Sequence, residues 1–522
     1  MWTPNKLEQE RLDKVALLQE QGVDPFPARV KRTHTTAEAL TLGNQHADIL
    51  DAIPEDKVAE LTVVVCGRIR RANIKGKVSF LHIEDQTGRI QLFLRINDMD
   101  EAQYSRVRDK LIEMDDFVQA TGVLMRTQAG EISVRVADLQ LIAKALSPLP
   151  VIKQQVLEDG TTKEFGEFSD VETRYRQRYA DLAVNRDVRE VFIKRALVIK
   201  TLRNFLDNEG MLEVETPILQ PIYGGAAARP FTTHHNQLDQ MLYLRISFEL
   251  YLKRLLVGDL DGVYEIGRDF RNEGVSYKHN SEFTMLEFYK AYIDYRGVMD
   301  LTERMVATVC ERVNGTTTID YQGKEIRFGA PWQRWTIREA IQHFVEIDYM
   351  DFPTAEALEP AIRQLEQERG IKGDERLKPN QTWGKMVEHL LGTFVEPQLI
   401  QPTFILDYPR DISPFAKRVT YDDLHVERFE FYINGMEMGN AFTELNDPRD
   451  QESRFLDMAR MYHADEDDAT PIDEDYLRAM RYGMPPNGGF GMGVDRLVML
   501  MTNQRSIRDV LLYPHMRPEA AE

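Results

Sequence analysis

Two runs of this chain hold side chains that could grip a phosphorylated molecule. The first is Gly262-Val263-Tyr264-Glu265-Ile266-Gly267-Arg268-Asp269-Phe270-Arg271-Asn272-Glu273, continuing through Tyr277 to Tyr289. Its period is that of two strands around a polar loop. Side chains alternate along a strand, so Glu265, Asp269 and Arg271 share one face. On the second strand Phe283, Met285, Glu287 and Tyr289 share one face, and the loop adds Gly274, Lys278 and His279. A rigid cation, a flat ring, mobile cationic or imidazole groups and a carboxylate on one surface suit a nucleoside triphosphate beside a charged small molecule. A solvated hairpin with scattered charges is the competing reading. The second run is Gly488-Gly489-Phe490-Gly491-Met492-Gly493-Val494-Asp495-Arg496. Its glycines allow close backbone approach to a nucleotide, and Arg496 stands at the start of a helix. No Walker A pattern occurs, which disfavours a P-loop ATPase.

Joining a carboxylate to an α-phosphorus brings two anions together and needs fixed positive charge. The planar fork of Arg271 can hold two oxygens at once, so it is assigned to the α-phosphate and an acid substrate's carboxylate. Arg496 is assigned to the γ-phosphate side. Phosphate charge also calls for a hard cation on oxygen ligands. An Asn434-Gly435 turn would set Tyr432 opposite Glu437 and put Glu430, Tyr432 and Glu437 on one face. Glu430 and Glu437 are then the candidate pair, with two edge carboxylates in water as the alternative. Strict alternation sends Glu437 and Asn440 to opposite faces, and a bulge at Gly439 would bring them together.

These residues need a scaffold. Asn5 to Gln21 reads as a capped amphipathic helix stopped by Gly22. Leu61 to Leu141 is strand-rich, with strands at Thr62–Cys66, Val78–Ile83, Arg89–Arg95, Phe117–Met125 and Glu131–Leu141 and a helix at Glu101–Leu111. Five strands with a helix between the third and fourth is the plan of an OB-fold barrel, which commonly binds oligonucleotides. Leu146 to Pro150 reads as a linker, and Val151 to Phe168 as an exposed loop. Asp187 to Asn208 reads as a long helix, Leu212 to Glu215 as a short strand, and Leu244 to Val257 as helical. Ile337 to Glu396 is mostly helical, and strands return at Phe404–Leu406 and Phe429–Leu445. The order is not βαβ, so the expected class is α+β, an OB-fold barrel plus an antiparallel sheet flanked by helices. The domain expectation is a helical extension at 1–60, a barrel at 61–145, a linker at 146–172 and a catalytic domain at 173–522, with a helical insertion at about 337–400.

The 522 residues are 43% hydrophobic and 29% charged, ordinary for a globular chain. No apolar run approaches the length of a membrane span, and the N-terminus lacks a signal-type apolar core, so a cytoplasmic protein away from membranes is expected. Cys66 and Cys310 are isolated and fit a reducing compartment. The net charge of -20 argues against nucleic acid, but distribution outweighs the sum. Arg68, Arg70, Arg71, Lys75 and Lys77 cluster without an acid, as do Arg174, Arg176 and Arg178, whereas Tyr462 to Asp475 is acidic.

Phe270-Arg271-Asn272-Glu273 with His279 and Phe283 resembles motif 2 of the class II aminoacyl-tRNA synthetases. Gly488 to Arg496 resembles motif 3, and Phe205-Leu206 through Glu213-Val214-Glu215-Thr216-Pro217 resembles motif 1. The lysyl subgroup is the most similar, and the resemblance runs from about Asn5 to Pro514. It implies ATP, L-lysine and tRNA(Lys) as substrates, Mg2+ on Glu430 and Glu437, and a homodimer built on the motif 1 helix and strand. It places adenine between Phe283 and Arg496, Glu273 on its amino group, His279 near the terminal phosphates, and Glu430 in the ATP site. It implies a lysine pocket of Gly225, Glu249, Glu287, Tyr289, Asn440, Phe442 and Glu444, with Glu249 on the α-ammonium. In the barrel it assigns the anticodon to Phe80, Gln91 and Glu131. Ser247 stands where the family usually has Pro, and Asn73 where it usually has Arg, with Arg71 nearby. The alternatives are an aspartyl or asparaginyl relative, a protein-lysylating paralogue, which usually lacks the barrel, and a non-catalytic RNA-binding module. Buried acids favour a cationic substrate, because a neutral one would leave a carboxylate unpaired.

Overall fold

From Thr62 to Ala143, apolar and polar residues alternate and one face turns inward. The strands Thr62–Lys75, Val78–Glu84, Arg89–Arg95, Phe117–Arg126 and Ile132–Ala143 close a barrel in the order first, second, third, fifth, fourth. Val63, Val65, Leu81, Ile83, Ile90, Leu92, Leu94, Val134 and Val136 fill it. The helix Glu101–Arg108 lies between the third and fourth strands and buries Tyr104 and Val107. This is the five-strand OB plan expected, with a first strand longer than Thr62–Cys66. Its second half carries the basic run, where only alternate positions are partly covered. The N-terminal helix Lys6–Glu20 starts on a capping box between Asn5 and Glu8.

The computed structural model describes residues 2–518 apart from 151–152, 157–161, 166–167, 169, 275 and 462–470, and divides into two bodies, Met1–Ser169 and Asp170–Glu522. Most of the acidic run from Tyr462 lies outside the described residues. The loop expected over Val151 to Phe168 lies partly outside them too. Within it, Lys153–Val156 pairs antiparallel with Thr162–Phe165, a short hairpin in place of a loop.

The second body is built on an eight-stranded sheet. Its order is Gln333–Thr336, Thr403–Pro409, His425–Ile433, Met436–Thr443, Asn487–Gly493, Glu282–Ala291, Gly262–Phe270, Leu212–Glu213. The central pairs are antiparallel, and only the two outermost pairs are parallel. Period-two alternation sends Tyr264, Leu286, Phe288, Phe429, Phe431 and Phe490 to the back. There they pack with Val198, Leu202 and Leu206 of the helix Arg186–Asn208, Val298 and Met305 of Tyr295–Asn314, and Leu497 of Val494–Met501. Phe288 stacks on Phe490 with centroids 4.8 Å apart. That dry face leaves the front free for polar residues. The helical segment after Ile337 has its own core around Ile341, Leu358, Ile362 and Leu390.

Two local expectations change. Leu244 to Val257 is not helical throughout: Gln240–Leu244 is a strand, and the helix begins at Glu249. Arg245 and Ser247, between them, hold the front of the sheet with their side chains. The bulge expected at Gly439 lies one residue earlier. Tyr432 faces Glu437 and Phe431 faces Gly439, so Met438 is the extra residue and Gly439 is paired. Among the described residues no helix is long and apolar enough to cross a membrane.

Candidate active site and barrel face

Register writes the site. Residues directly opposite in neighbouring strands point to the same side of a sheet. One row across the front reads Glu265, Glu287, Gly491, Asn440, Glu430. The adjacent row reads Val263, Tyr289, Gly489, Phe442, Arg428. Residues far apart in sequence thus meet because five strands are in phase. The phase depends on the Met438 bulge, which restores Asn440 and Phe442 to the front after the turn. Asn434 and Gly435 both have positive φ, 52° and 67°, as a two-residue hairpin turn requires.

The front opens on a cavity of about 510 Å³. Arg271 and Arg496 both open into it, as do Glu273, His279, Phe283, Glu430 and Glu437. Arg271 hangs from the end of the first hairpin, where its amide donates to the Ser281 carbonyl at 2.9 Å. Its guanidinium carbon lies 5.2 Å from the Phe283 ring centroid, and its Nε is buried with no partner among the described residues. A buried donor without an acceptor is costly, which suits an anion at this point. Arg496 donates to the Glu437 carbonyl and lies 3.4 Å from the Nε2 of His279. Asp495 accepts from the Thr284 amide at 2.8 Å and pairs with Arg195 at 2.6 Å, fixing the strand that ends at Gly493. Arg271 thus lies over the Phe283 ring.

Glu430 is held from three sides. It accepts from Arg428 at 2.6 Å, from the Tyr408 hydroxyl at 2.9 Å, and from the Tyr432 hydroxyl. Burial raises its pKa, Arg428 opposes that rise, and Glu437 adds to it. Glu396 is pushed up to about 8 by burial and then by the charges of Glu430 and Glu437. Glu430 and Glu437 thus oppose the ionisation of Glu396 beside this wall. Among the described residues, no three or more His, Cys, Asp or Glu side chains form a complete cation cage. A carboxylate pair whose remaining ligands come from phosphate oxygens suits a small hard cation.

The acidic side of the cavity is separate from this pair. Gly225, Glu249, Glu287, Tyr289, Asn440 and Phe442 line it. Gly225 has φ 85°, and a Cβ there would come within 3.0 Å of the Ser247 hydroxyl, so glycine is required twice over. Ser247 donates to Glu287 at 2.9 Å and accepts from the Glu249 amide at 3.1 Å, a bridge that proline could not make. Tyr289 donates to Glu287 at 3.2 Å. Burial, and then the charge of Glu249, hold Glu287 up to about 7. Glu444 is fully buried on the same face, where a Cβ on Gly489 would collide with it and with the Tyr289 ring. A pairing absent from the sequence reading holds it: the ammonium of Lys253 contacts both Glu444 and Glu249.

The chain matches the family model "tRNA synthetases class II (D, K and N)" over residues 170–517. It belongs to this family. Residues 63–142 also match "OB-fold nucleic acid binding domain". Over 520 residues the chain is 49% identical to a protein of Chloroflexus aurantiacus named lysine–tRNA ligase, with 99% of each covered. It is 50% identical over 515 residues to the one of Roseiflexus castenholzii, covering 98% of this chain and 99% of the relative. A third, from Pelotomaculum thermopropionicum, is 47% identical over 514 residues, covering 98% and 95%.

The synthetase site includes residues that sequence reasoning passed over. Arg428 lies two residues before Glu430 on the same strand face, so the period could have found it. It also donates to Asn440 at 3.0 Å and to the Ser413 hydroxyl at 2.9 Å. Arg245 is buried, pairs with Glu265 at 2.6 Å, and donates to the carbonyls of Arg268 and Thr216. Nothing local in the sequence marks it.

In the first body, Gln91 and Glu131 meet, and Phe80 shares the barrel face of His82 and Gln91. Gln91 donates to Glu131 at 2.8 Å, and His82 lies 3.1 Å from the same carboxylate. Phe80 packs on Phe93 with centroids 5.4 Å apart, and its register partner on the first strand is Asn73. His82 and Phe93 extend the expected set.

Proposed function

We propose that this chain is a lysine–tRNA ligase, which joins lysine to AMP at the expense of ATP and passes the lysyl group to the 3′ end of tRNA(Lys). The observation that carries this reading is the acidic side of the cavity. Glu249 and Glu287 face it, with the rings of Tyr289 and Phe442, beside two guanidiniums. A diamino acid matches such a wall. An aspartate side chain would meet carboxylates where it needs cations, and a neutral asparagine amide would leave a buried carboxylate without a counter-charge.

In the first step the lysine carboxylate attacks the α-phosphorus in line, the bond to the β-phosphate oxygen breaks, and pyrophosphate leaves. Arg271 holds the carboxylate and an α-phosphate oxygen together, which removes repulsion as they close. Arg496 and His279 take the terminal phosphates, Phe283 stacks the adenine, and Glu273 accepts from its amino group. Glu249 takes the α-ammonium, and Glu287 and Tyr289 take the ε-ammonium. Gly225 gives the substrate room. Asn440 and Phe442 complete the pocket. Glu444 joins Glu287 and Tyr289 around the ε-ammonium. Glu430 and Glu437 would hold Mg2+, which supplies charge neutralisation at the phosphates when bound. Arg428 orients Glu430 for that role. In the second step a terminal ribose hydroxyl of tRNA attacks the lysyl carbonyl and AMP leaves.

Phe80, Gln91 and Glu131 would read the anticodon, with stacking on Phe80 contributing about 1–3 kcal/mol per base. The enzyme works as a homodimer in the cytoplasm. The test is amino-acid-dependent pyrophosphate exchange across the twenty amino acids. Exchange with lysine alone is expected. Exchange with aspartate or asparagine and none with lysine would overturn the reading.

A further inference from the structure

Lys253 lies in the helix Glu249–Val257, is fully buried, and is no part of the cavity lining. Its Nζ is 2.5 Å from Glu249 Oε1 and forms an ion pair with Glu444 Oε2. Four rings surround the ammonium, Phe415 at 4.7 Å, Phe442 at 5.3 Å, Tyr289 at 5.8 Å and Tyr476 at 6.0 Å to the centroids. An ammonium with no access to water must be matched by its neighbours. Burial pulls its pKa down, and Glu249 and Glu444 more than reverse this, so it stays charged.

The other buried acids around the cavity have cations of their own. Arg245 pairs with Glu265 at 2.6 Å and reaches Asp269 at 3.5 Å, and Arg271 adds its charge at Asp269. Arg428 pairs with Glu430. Arg254, next to Lys253, is engaged by Asp473 at 2.7 Å. Glu249, Glu287 and Glu444 remain: Lys253 touches Glu249 and Glu444, the Arg428 charge also reaches Glu249, and Glu287 is bonded by Ser247 and Tyr289, neither of them a cation. Fully ionised, the group carries two surplus negative charges. Lysine brings two ammoniums.

We propose that Lys253 is a positioning residue that sets the charge of the amino-acid pocket, cancelling one of its three carboxylates so that the remaining two negative charges match a diamino acid. This rests on the lysine reading above and adds a residue to it. Without Lys253, three carboxylates would face two substrate ammoniums, and the pocket would take up protons that lysine must displace. Lys253 also ties Glu249 to Glu444, and so holds both carboxylates in place.

The test is calorimetry of lysine binding at pH 8.5 in buffers of different ionisation enthalpy, with KM values from pyrophosphate exchange. Lys253→Met is expected to release more protons on binding lysine than the wild type. Its lysine KM should rise at least tenfold while its ATP KM stays within twofold. Its lysine KM should also fall more steeply with rising pH. Equal proton release in variant and wild type, with parallel pH profiles, would overturn the proposal even if KM rose. Should Lys253→Met fail to fold, Lys253→Gln removes the same charge and keeps hydrogen-bond donors toward Glu249 and Glu444. It is expected to fold and to release more protons on binding lysine than the wild type. Lys253→Gln that folds and binds lysine with wild-type proton release overturns the proposal. If the wild-type protein itself fails to bind lysine, the substrate reading falls instead, so each arm is read against wild type.

Discussion

Glu287 shows how one carboxyl can couple substrate use to acidity. Burial and the neighbouring Glu249 hold it up to about 7, against an ordinary value of 4.5. Below that pH it is mostly neutral and attracts an ammonium weakly. Lysine KM should therefore fall as pH rises through about 7 and level off above it. Glu287→Gln should remove that step and raise lysine KM by at least about tenfold, about 1.4 kcal/mol. Its ATP KM should change little. Pyrophosphate exchange across the pH range measures both. Stability should move the opposite way. Between the unfolded value and about 7 the folded state binds more protons than the unfolded state, so wild-type stability falls as pH rises through that window. Glu287→Gln lacks this loss and should melt higher than wild type at pH 8 in the absence of substrate. A variant that melts lower at pH 8 than at pH 5, in parallel with wild type, would count against the assignment. The residue is unfavourable to the empty fold and useful to the loaded one, a common feature of binding sites.

At the scale of elements, glycines in neighbouring strands do different work. A Cβ on Gly439 would strike the Gly491 carbonyl and come within 2.7 Å of the Phe431 ring. A Cβ on Gly491 would meet Glu287 and Met285 at an ordinary 3.6 Å, on the cavity side. Gly439→Ala should cost about 1–3 kcal/mol through overpacking and lower the melting temperature. Gly491→Ala should leave melting near wild type and raise ATP or lysine KM, because its methyl intrudes only on the cavity. Thermal unfolding and exchange kinetics on the two variants separate the cases. The same pair marks what the chain made legible. The Asn434-Gly435 turn and the period-two faces could be read from sequence, since turn chemistry and alternation are local. The bulge expected at Gly439 falls at Met438. Gly439 is glycine because another strand's carbonyl crowds it, and that is a tertiary fact. Lys253 was overlooked for a related reason: a Glu and a Lys four apart on a helix read as a common surface pair. Only the fold reveals that this one is buried. Ser247, a departure from the family pattern, proves to bridge Glu249 and Glu287.

At the scale of the whole molecule, the proposed dimer has a specific surface. Leu212, Ile218, Leu219, Leu238 and Met241 are each at least 46% exposed and lie on or beside the motif 1 strand and the three-stranded sheet Leu219–Gln220, Thr232–His235, Gln240–Leu244. Large apolar side chains exposed along one segment are unfavourable in water and suit an interface. The segment also backs the site. The Val214 amide donates to the Tyr264 carbonyl at 2.9 Å, and Thr216 donates to Glu265 through its amide at 3.0 Å and its hydroxyl at 2.7 Å. Arg245 in turn donates to the Thr216 carbonyl at 3.1 Å. A subunit pressed on this edge would thus brace the first hairpin, and with it Arg271. Wild-type protein should sediment at twice the 60.5 kDa chain mass. Leu219→Asp with Met241→Asp should sediment as a monomer, because two carboxylates cannot be desolvated there without partners. Exchange activity should fall at least tenfold in that monomer, through a loosened hairpin, while the fold survives by circular dichroism. If the double variant still sediments as a dimer, the interface lies elsewhere. If it is a fully active monomer, the bracing role is wrong and the surface serves association alone.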